Sequence, residues 1–252
     1  MSDDPTALPD GEVRPDSVAL VTGANSGIGY EIARGLCDRG ITVWLGARNL
    51  DRGEAAAATL GDGARAVQLD VTDQESVAAA ARRIESLDIL MNNAGINPGR
   101  EDLERTDIDQ FRRAYETNVF GLFAVTKAFA PALRRSEHPR IVNVSSGTGS
   151  LAWNSGPNPQ FDWARVQGGG IAYRSSKTAV NAVTLLAAQS LGDRFKVNAL
   201  APGARATNLL PNMTGRAGDP AEAAAGAIRL ALLPDDGPTG GLWSWDGTRA
   251  PW

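Results

Sequence analysis

Short apolar runs rich in β-branched residues alternate along the chain with longer stretches whose apolar positions recur every three to four residues. The first kind suits a strand covered on both faces, and the second an amphipathic helix. Strands are therefore predicted at Ser17–Thr22 (SVALVT), Ile41–Ala47, Ala64–Leu69, Asp88–Asn93, Arg140–Ser145 and Lys196–Ala201, with Gly241–Trp245 as a last edge strand. Helices are predicted at Gly27–Arg39, Leu50–Leu60, Asp73–Glu85, Asp109–Arg134, Tyr173–Leu191 and Pro220–Leu233, with an interruption of the long fourth one near Gly121. Regular alternation of this kind implies an α/β fold, a doubly wound parallel sheet of about seven strands flanked by helices.

Composition narrows the setting. The 252 residues carry 25 Lys and Arg against 29 Asp and Glu, a net charge of −4. Such a balance argues against a nucleic-acid partner, which would call for clustered cations. No apolar run reaches the ~18 residues needed to cross a bilayer. Residues 1–16 are polar, acidic and proline-bearing, and lack the basic start and apolar stretch of a secretory signal, so they are expected to form a flexible arm before a single domain at 17–252. A single cysteine, Cys37, permits no disulfide within the chain and fits a reducing, cytoplasmic setting. The one histidine, His138, has no second His or Cys nearby, and no metal site is expected.

Chemistry first enters after strand one, which runs into Thr22-Gly23-Ala24-Asn25-Ser26-Gly27-Ile28-Gly29 at the start of a helix. Gly23 permits a tight turn, Gly27 lets the backbone approach a diphosphate, and Gly29 allows close packing of helix on strand. The helix start offers unpaired N–H groups to phosphate. The glycine spacing differs from G-x-G-x-x-G, but its place between a strand and a helix marks a dinucleotide-binding, Rossmann-type turn with Asn25, Ser26 and Ile28 in it. The second strand ends in Arg48-Asn49, where an acidic residue would repel a 2′-phosphate. A planar, permanent guanidinium suits that phosphate, so NADP(H) is the expected cofactor; the alternative for Arg48 is a solvated strand end.

Tyr173 and Lys177 stand four residues apart, on one face of a predicted helix. A free phenol titrates near ~10, and a neighbouring ammonium is expected to lower that value. Further along, Asn92-Asn93-Ala94-Gly95 ends the fourth strand, Asn118 lies in the long helix, Ser145-Ser146 follow strand five, and Pro202-Gly203 follow strand six. In this order these motifs resemble the short-chain dehydrogenase/reductase family, over essentially the whole chain after the arm.

The resemblance implies a catalytic tetrad of Asn118, Ser146, Tyr173 and Lys177. Tyr173 would exchange a proton with the carbonyl or alcohol oxygen, and Ser146 would hydrogen-bond that oxygen, with Ser145 as the neighbouring structural alternative. Lys177 would bind the nicotinamide ribose, and Asn118 would hold a water linking Lys177 to solvent. Asp70 and Val71 would meet the adenine, Asp70 being equally able to cap the following helix. Asn93, Ala94 and Gly95 would floor the adenosine ribose, and Pro202, Gly203 and Thr207 would receive the nicotinamide. Ser26 stands where many NADP-binding relatives carry a base.

Ser146 and Tyr173 are 27 positions apart, roughly double the family's commonest spacing. The extra stretch, 147–172, carries Trp153, Phe161 and Trp163, which either wall a pocket for an apolar ketone or anchor the loop to the body. With the Trp-Asp-Gly-Thr-Arg-Ala-Pro-Trp ending it resembles the carbonyl-reductase branch, whose monomeric members leave monomer against homo-oligomer undecided. The expected activity is NADPH-dependent reduction of a small-molecule ketone or aldehyde. The alternatives are a 3-oxoacyl-thioester or hydroxysteroid-type reductase, and a non-catalytic NADP(H)-sensing protein.

Overall fold

The computed structural model describes residue 8 and residues 11–14, 16–159, 169–207, 209 and 217–252. Its strands are β1 (Val18–Thr22), β2 (Thr42–Ala47), β3 (Ala64–Gln68), β4 (Ile89–Asn92), β5 (Arg140–Val144), β6 (Lys196–Ala201), β7 (Leu242–Ser244) and β8 (Arg249–Ala250). They form one sheet in the order β3-β2-β1-β4-β5-β6-β7-β8, parallel except for the antiparallel β7–β8 pair. Strands β4, β5 and β6 are buried at every position, as continuous apolar runs demand.

Side chains of successive strand residues leave the sheet on opposite faces, so each strand feeds two cores. Ala19, Val21, Ile89 and Met91 pack on one side with Ile32 and Leu36 of helix α1 (Gly27–Cys37) and Ile228 and Leu230 of helix α8 (Pro220–Ala231). Leu20 and Leu90 face the other way, toward Val77 and Ala80 of α3 (Gln74–Arg83), Val125 and Phe129 of α5 (Leu122–Arg135) and Ala188 of α7 (Ile171–Leu191). The remaining helices are α2 (Leu50–Ala58), α4 (Ile108–Tyr115) and the short α6 (Leu151–Ser155).

Two expectations need correction. Leu242–Ser244 is not the sheet edge: an eighth strand, β8, turns back on it through Asp246-Gly247, with Gly247 at φ 90°. The N-terminal arm is not wholly free. Leu8 is buried at 8% exposure, its N–H donates to the Gly247 carbonyl (3.1 Å), and the Glu12 N–H donates to the Leu232 carbonyl (2.7 Å). An apolar side chain and two backbone bonds outweigh the polar composition there. The interruption foreseen near Gly121 is found, as a π-helical turn, Glu116–Gly121, joining α4 to α5.

Candidate active site

Chain direction across the sheet reverses between β1 and β4, and the crevice beyond their carboxyl ends is where open α/β sheets bind ligands. Thr22 ties that crevice together: its hydroxyl accepts from the N–H groups of Asn93 (3.0 Å) and Ala94 (2.9 Å). The Asn93 amide donates back to the carbonyls of Thr22 (2.9 Å) and Gly23 (3.2 Å). The sequence reading assigned Thr22 no role in the site, although its place before the first glycine was a signal.

The glycine turn has the geometry of an anion cradle. Gly23 and Gly27 sit at φ 64° and 58°, where side chains are strained. A methyl at Gly29 would lie 2.6 Å from the Gly23 carbonyl oxygen and collide with the Asn93 amide, so the helix can approach this closely only without one. Ser26 makes no side-chain cap to α1, and the first turn of α1 holds no acidic residue. Its N–H groups and positive dipole end are thus left for an anion. Thr207 closes the far side, its methyl 3.2 Å from where a Gly27 Cβ would stand. These features fit a dinucleotide.

A cavity of about 430 Å³ lies beside this turn between α1 and α2, lined by Asn25, Ser26, Tyr30, Arg52, Ala56 and Thr59 among others. Arg48 and Asn49 are exposed at the end of β2. Asn49 also caps α2, accepting from the Arg52 N–H at 2.8 Å. Asp70 does not cap α3; Asp73 does, accepting from the Glu75 N–H. Instead Asp70 accepts from both the N–H (2.9 Å) and the hydroxyl (2.7 Å) of Thr72, fixing the bend after β3. Val71 is buried.

At the reaction end, Ser146, Tyr173 and Lys177 converge. The Ser146 hydroxyl stands beside the Tyr173 phenol and pulls its pKa down. It also accepts from the Thr148 N–H (3.1 Å) and pairs with the Thr148 hydroxyl (2.9 Å), which fixes its rotamer. Ser145 faces elsewhere: its hydroxyl donates to Asn181 Oδ1 (2.5 Å), with the Lys177 carbonyl at 3.2 Å, both on α7. Lys177, at 4% exposure, sends Nζ to the Val144 carbonyl (2.8 Å) and lies 5.8 Å from the centre of the Tyr173 ring.

Burial dominates the titration of both groups. It pushes the Tyr173 phenol up to about 12, against a smaller downward pull from the Ser146 hydrogen bond. It pushes the Lys177 ammonium down to about 8. The expected lowering of the phenol by Lys177 is therefore overturned here: desolvation outweighs an ammonium that faces a backbone carbonyl. The tyrosine is a neutral donor at pH 7, and the lysine is mostly charged.

Asn118 lies inside the π-helical turn and is 1% exposed. Its amide donates to the Ile96 carbonyl (2.9 Å) and the Ser176 hydroxyl (2.9 Å), and accepts from the Ile96 N–H (2.8 Å). It thereby pins the segment after Asn93-Ala94-Gly95 to α7. A methyl at Gly95 would sit 3.2 Å from Asn118 Oδ1 and 3.5 Å from Lys177 Nζ, so the two polar groups share one small space.

Of the three aromatic residues expected near the substrate, Phe161 and Trp163 lie outside the described residues. Trp153 is a correction. Carried on α6, it is 8% exposed and packs with Ala199, Ala201, Leu242 and Ala250, the anchoring role rather than a wall. The second cavity, about 610 Å³, borders Tyr115, Leu151, Asn154, Ile171 and Arg174, with neither Tyr173 nor Ser146 in its lining. Among the described residues no cluster of His, Cys, Asp and Glu could hold a metal, and no helix is long and apolar enough to cross a membrane.

A doubly wound sheet with an anion cradle at its switch point, and beside it half-buried Tyr173 and Ser146 with buried Lys177, defines a nucleotide-dependent oxidoreductase site. Residues 17–159 match the family model described as short chain dehydrogenase, and the chain belongs to that family. It is 36% identical to (−)-isopiperitenone reductase of Mentha piperita over 88% of this chain and 94% of that one. The solved 3-ketoacyl-(acyl-carrier-protein) reductase from Brucella melitensis, complexed with NADH, superposes with a TM-score of 0.80 at 28% identity, over 93% and 98% of the chains. ElxO with NADP bound superposes at 0.78 and 27% identity, over 92% and 98%.

Proposed function

We propose that this oxidoreductase reduces a ketone or aldehyde to the alcohol with NADPH, reversibly, and that Tyr173 is its general acid. The observation carrying this reading is the Ser146 hydroxyl set beside a Tyr173 phenol that desolvation keeps protonated. A donor held neutral at pH 7 beside a second hydroxyl can place two hydrogen bonds on one carbonyl oxygen. Lys177, with a charged Nζ next to Gly95, holds the ribose end of the nucleotide. Asn118 keeps the floor of that space in register with α7.

A nicotinamide bound at this site would supply the hydride. Gly23, Asn25, Ser26, Gly27, Ile28 and Gly29 would hold the diphosphate, and Asn93, Ala94 and Gly95 the ribose floor. Arg48 and Asn49 would meet the 2′-phosphate, Asp70 and Val71 the adenine, and Pro202, Gly203 and Thr207 the carboxamide. The likeness to a reductase named for a cyclic ketone supports an apolar carbonyl substrate. The fold likeness to a 3-ketoacyl reductase supports a second reading, an acyl-thioester substrate.

Loss of NADPH absorbance with a panel of cyclic ketones, aldehydes and 3-oxoacyl thioesters tests both. Tyr173→Phe should bind NADPH as the parent does, yet lose ~10²- to 10⁴-fold in turnover. Retention of more than about a tenth of the parent rate, with chemistry limiting, would remove Tyr173 as the acid.

A further inference from the structure

The Pro202–Thr207 strip ends against the glycine turn through Thr207 and carries an arginine that the activity has not called upon. Arg205 is 5% exposed. Its Nε–H donates to the Pro202 carbonyl at 2.7 Å, closing the turn in which Gly203 sits at φ 70°. Its Nη1 meets Glu222 Oε2 on α8 at 2.6 Å. Its guanidinium carbon lies over the Trp245 ring, 4.4 Å from its centre, just beyond β7. Along the backbone, Arg205 bridges Gly218: the Ala206 N–H donates to the Gly218 carbonyl and the Gly218 N–H to the Ala204 carbonyl, each at 3.0 Å.

One side chain therefore joins three separate pieces of chain: the turn after β6, the start of α8 and the end of β7. A guanidinium can make these contacts together because its donors fan out in a plane whose face remains free to stack; a lysine ammonium cannot. One donor, Nη2, is buried with no hydrogen-bond partner among the described residues, 3.5 Å from where a Gly203 Cβ would stand. An arginine kept only for stability gains little from burial and loses more with a donor unsatisfied.

We infer that Arg205 is a positioning residue for the cofactor: it fixes the height and tilt of the Pro202–Thr207 strip over the glycine turn, and so sets affinity at the nicotinamide end. This rests on the NADPH reading above. The test uses the full chain with Arg205→Met, Arg205→Lys and Glu222→Gln. NADPH dissociation constants are measured by fluorescence titration, KM and kcat are separated at saturating ketone, and melting temperature is recorded alongside.

The expected result for Arg205→Met is a rise of about tenfold in both Kd and KM for NADPH, with kcat at saturating cofactor within about twofold. Arg205→Lys should fail to rescue, and Glu222→Gln should fall between parent and Arg205→Met. A lowered melting temperature with unchanged NADPH Kd in the folded variants would overturn the inference. Should Arg205→Met fail to fold, Glu222→Gln decides, since it leaves the arginine in place: an unchanged Kd there overturns it too. A parent protein that does not bind NADPH sinks the cofactor reading and this inference with it. A parent that binds, with variants binding equally, sinks only the inference.

Discussion

Ser145 and Ser146 are adjacent in sequence, yet the geometry gives them opposite work, and alanine at each should separate it. Ser145 is 1% exposed and donates to Asn181 Oδ1. Asn181 Nδ2 already lacks a partner among the described residues, so Ser145→Ala would leave a buried amide with neither of its ends satisfied there. A stranded buried polar group costs ~1–3 kcal/mol, and in a chain of this size ~2 kcal/mol lowers the melting temperature by about 4–8 °C. Turnover should stay within about threefold, because the lost bond touches only the inner face of α7. Ser146→Ala should do the reverse. Its hydroxyl caps only the short turn at Gly147–Gly149, through the Thr148 N–H. Losing such a cap costs ~1 kcal/mol or less, about 2–4 °C. The same hydroxyl stands beside the Tyr173 phenol, and loss of one donor aimed at the reacting oxygen costs ~10²–10³ in kcat. Calorimetry and steady-state kinetics on the two variants give a crossed table of stability and rate. If Ser145→Ala abolished turnover while remaining folded, or Ser146→Ala kept it, the assignment would be reversed.

Arg48→Asp should shift preference from NADPH toward NADH, weakening NADPH by about one to two orders of magnitude through loss of a ~1.5–3 kcal/mol charged contact and added repulsion. An unchanged ratio of the two kcat/KM values would mean the 2′-phosphate is read elsewhere. For the pH profile, reduction needs a protonated Tyr173, present until about pH 12, and a charged Lys177, lost as pH rises through about 8. The kcat/KM for reduction should therefore be flat near neutrality and fall above about pH 8, while alcohol oxidation, which needs the phenolate, rises with pH; a reduction profile flat to pH 10 contradicts this. Trp153→Ala should cost ~3–5 kcal/mol of stability without reordering ketone preference, since its ring fills a core cluster; a changed substrate order would restore it to the pocket.

The sheet was legible because buried strands must be apolar on both faces, and every predicted strand and helix is found with ends moved by a few residues. What escaped depended on distant contacts. Two-residue β8 carries no periodicity, although Asp246-Gly247 was a turn signal. Leu8 looked solvated because nothing near it in sequence says that Gly247 will accept its N–H. Tyr173, Ser146 and Lys177 could be named from motif order, but the burial that lifts one pKa and lowers the other is a property of the assembled site. Arg205, Glu222 and Trp245 come from three stretches of chain, and no spacing rule links them.

The π-helical turn at Glu116–Gly121 has a consequence for phase. Each residue of an α-helix advances the face by ~100°, and a π turn inserts one residue beyond the regular count. The apolar stripe of α5, which seats Val125 and Phe129 under the sheet, is thus offset from the stripe of α4 by a fixed rotation, and the offset occurs at Asn118. A ruler of period 3.6 laid across both helices drifts out of step there, which is why one long amphipathic helix read from sequence describes either half well and the whole poorly. From within this turn the Asn118 amide bonds both the N–H and the carbonyl of Ile96. A single-residue indel in this stretch acts as a rotation rather than a change of length: it turns one half of the helix against the other about the site.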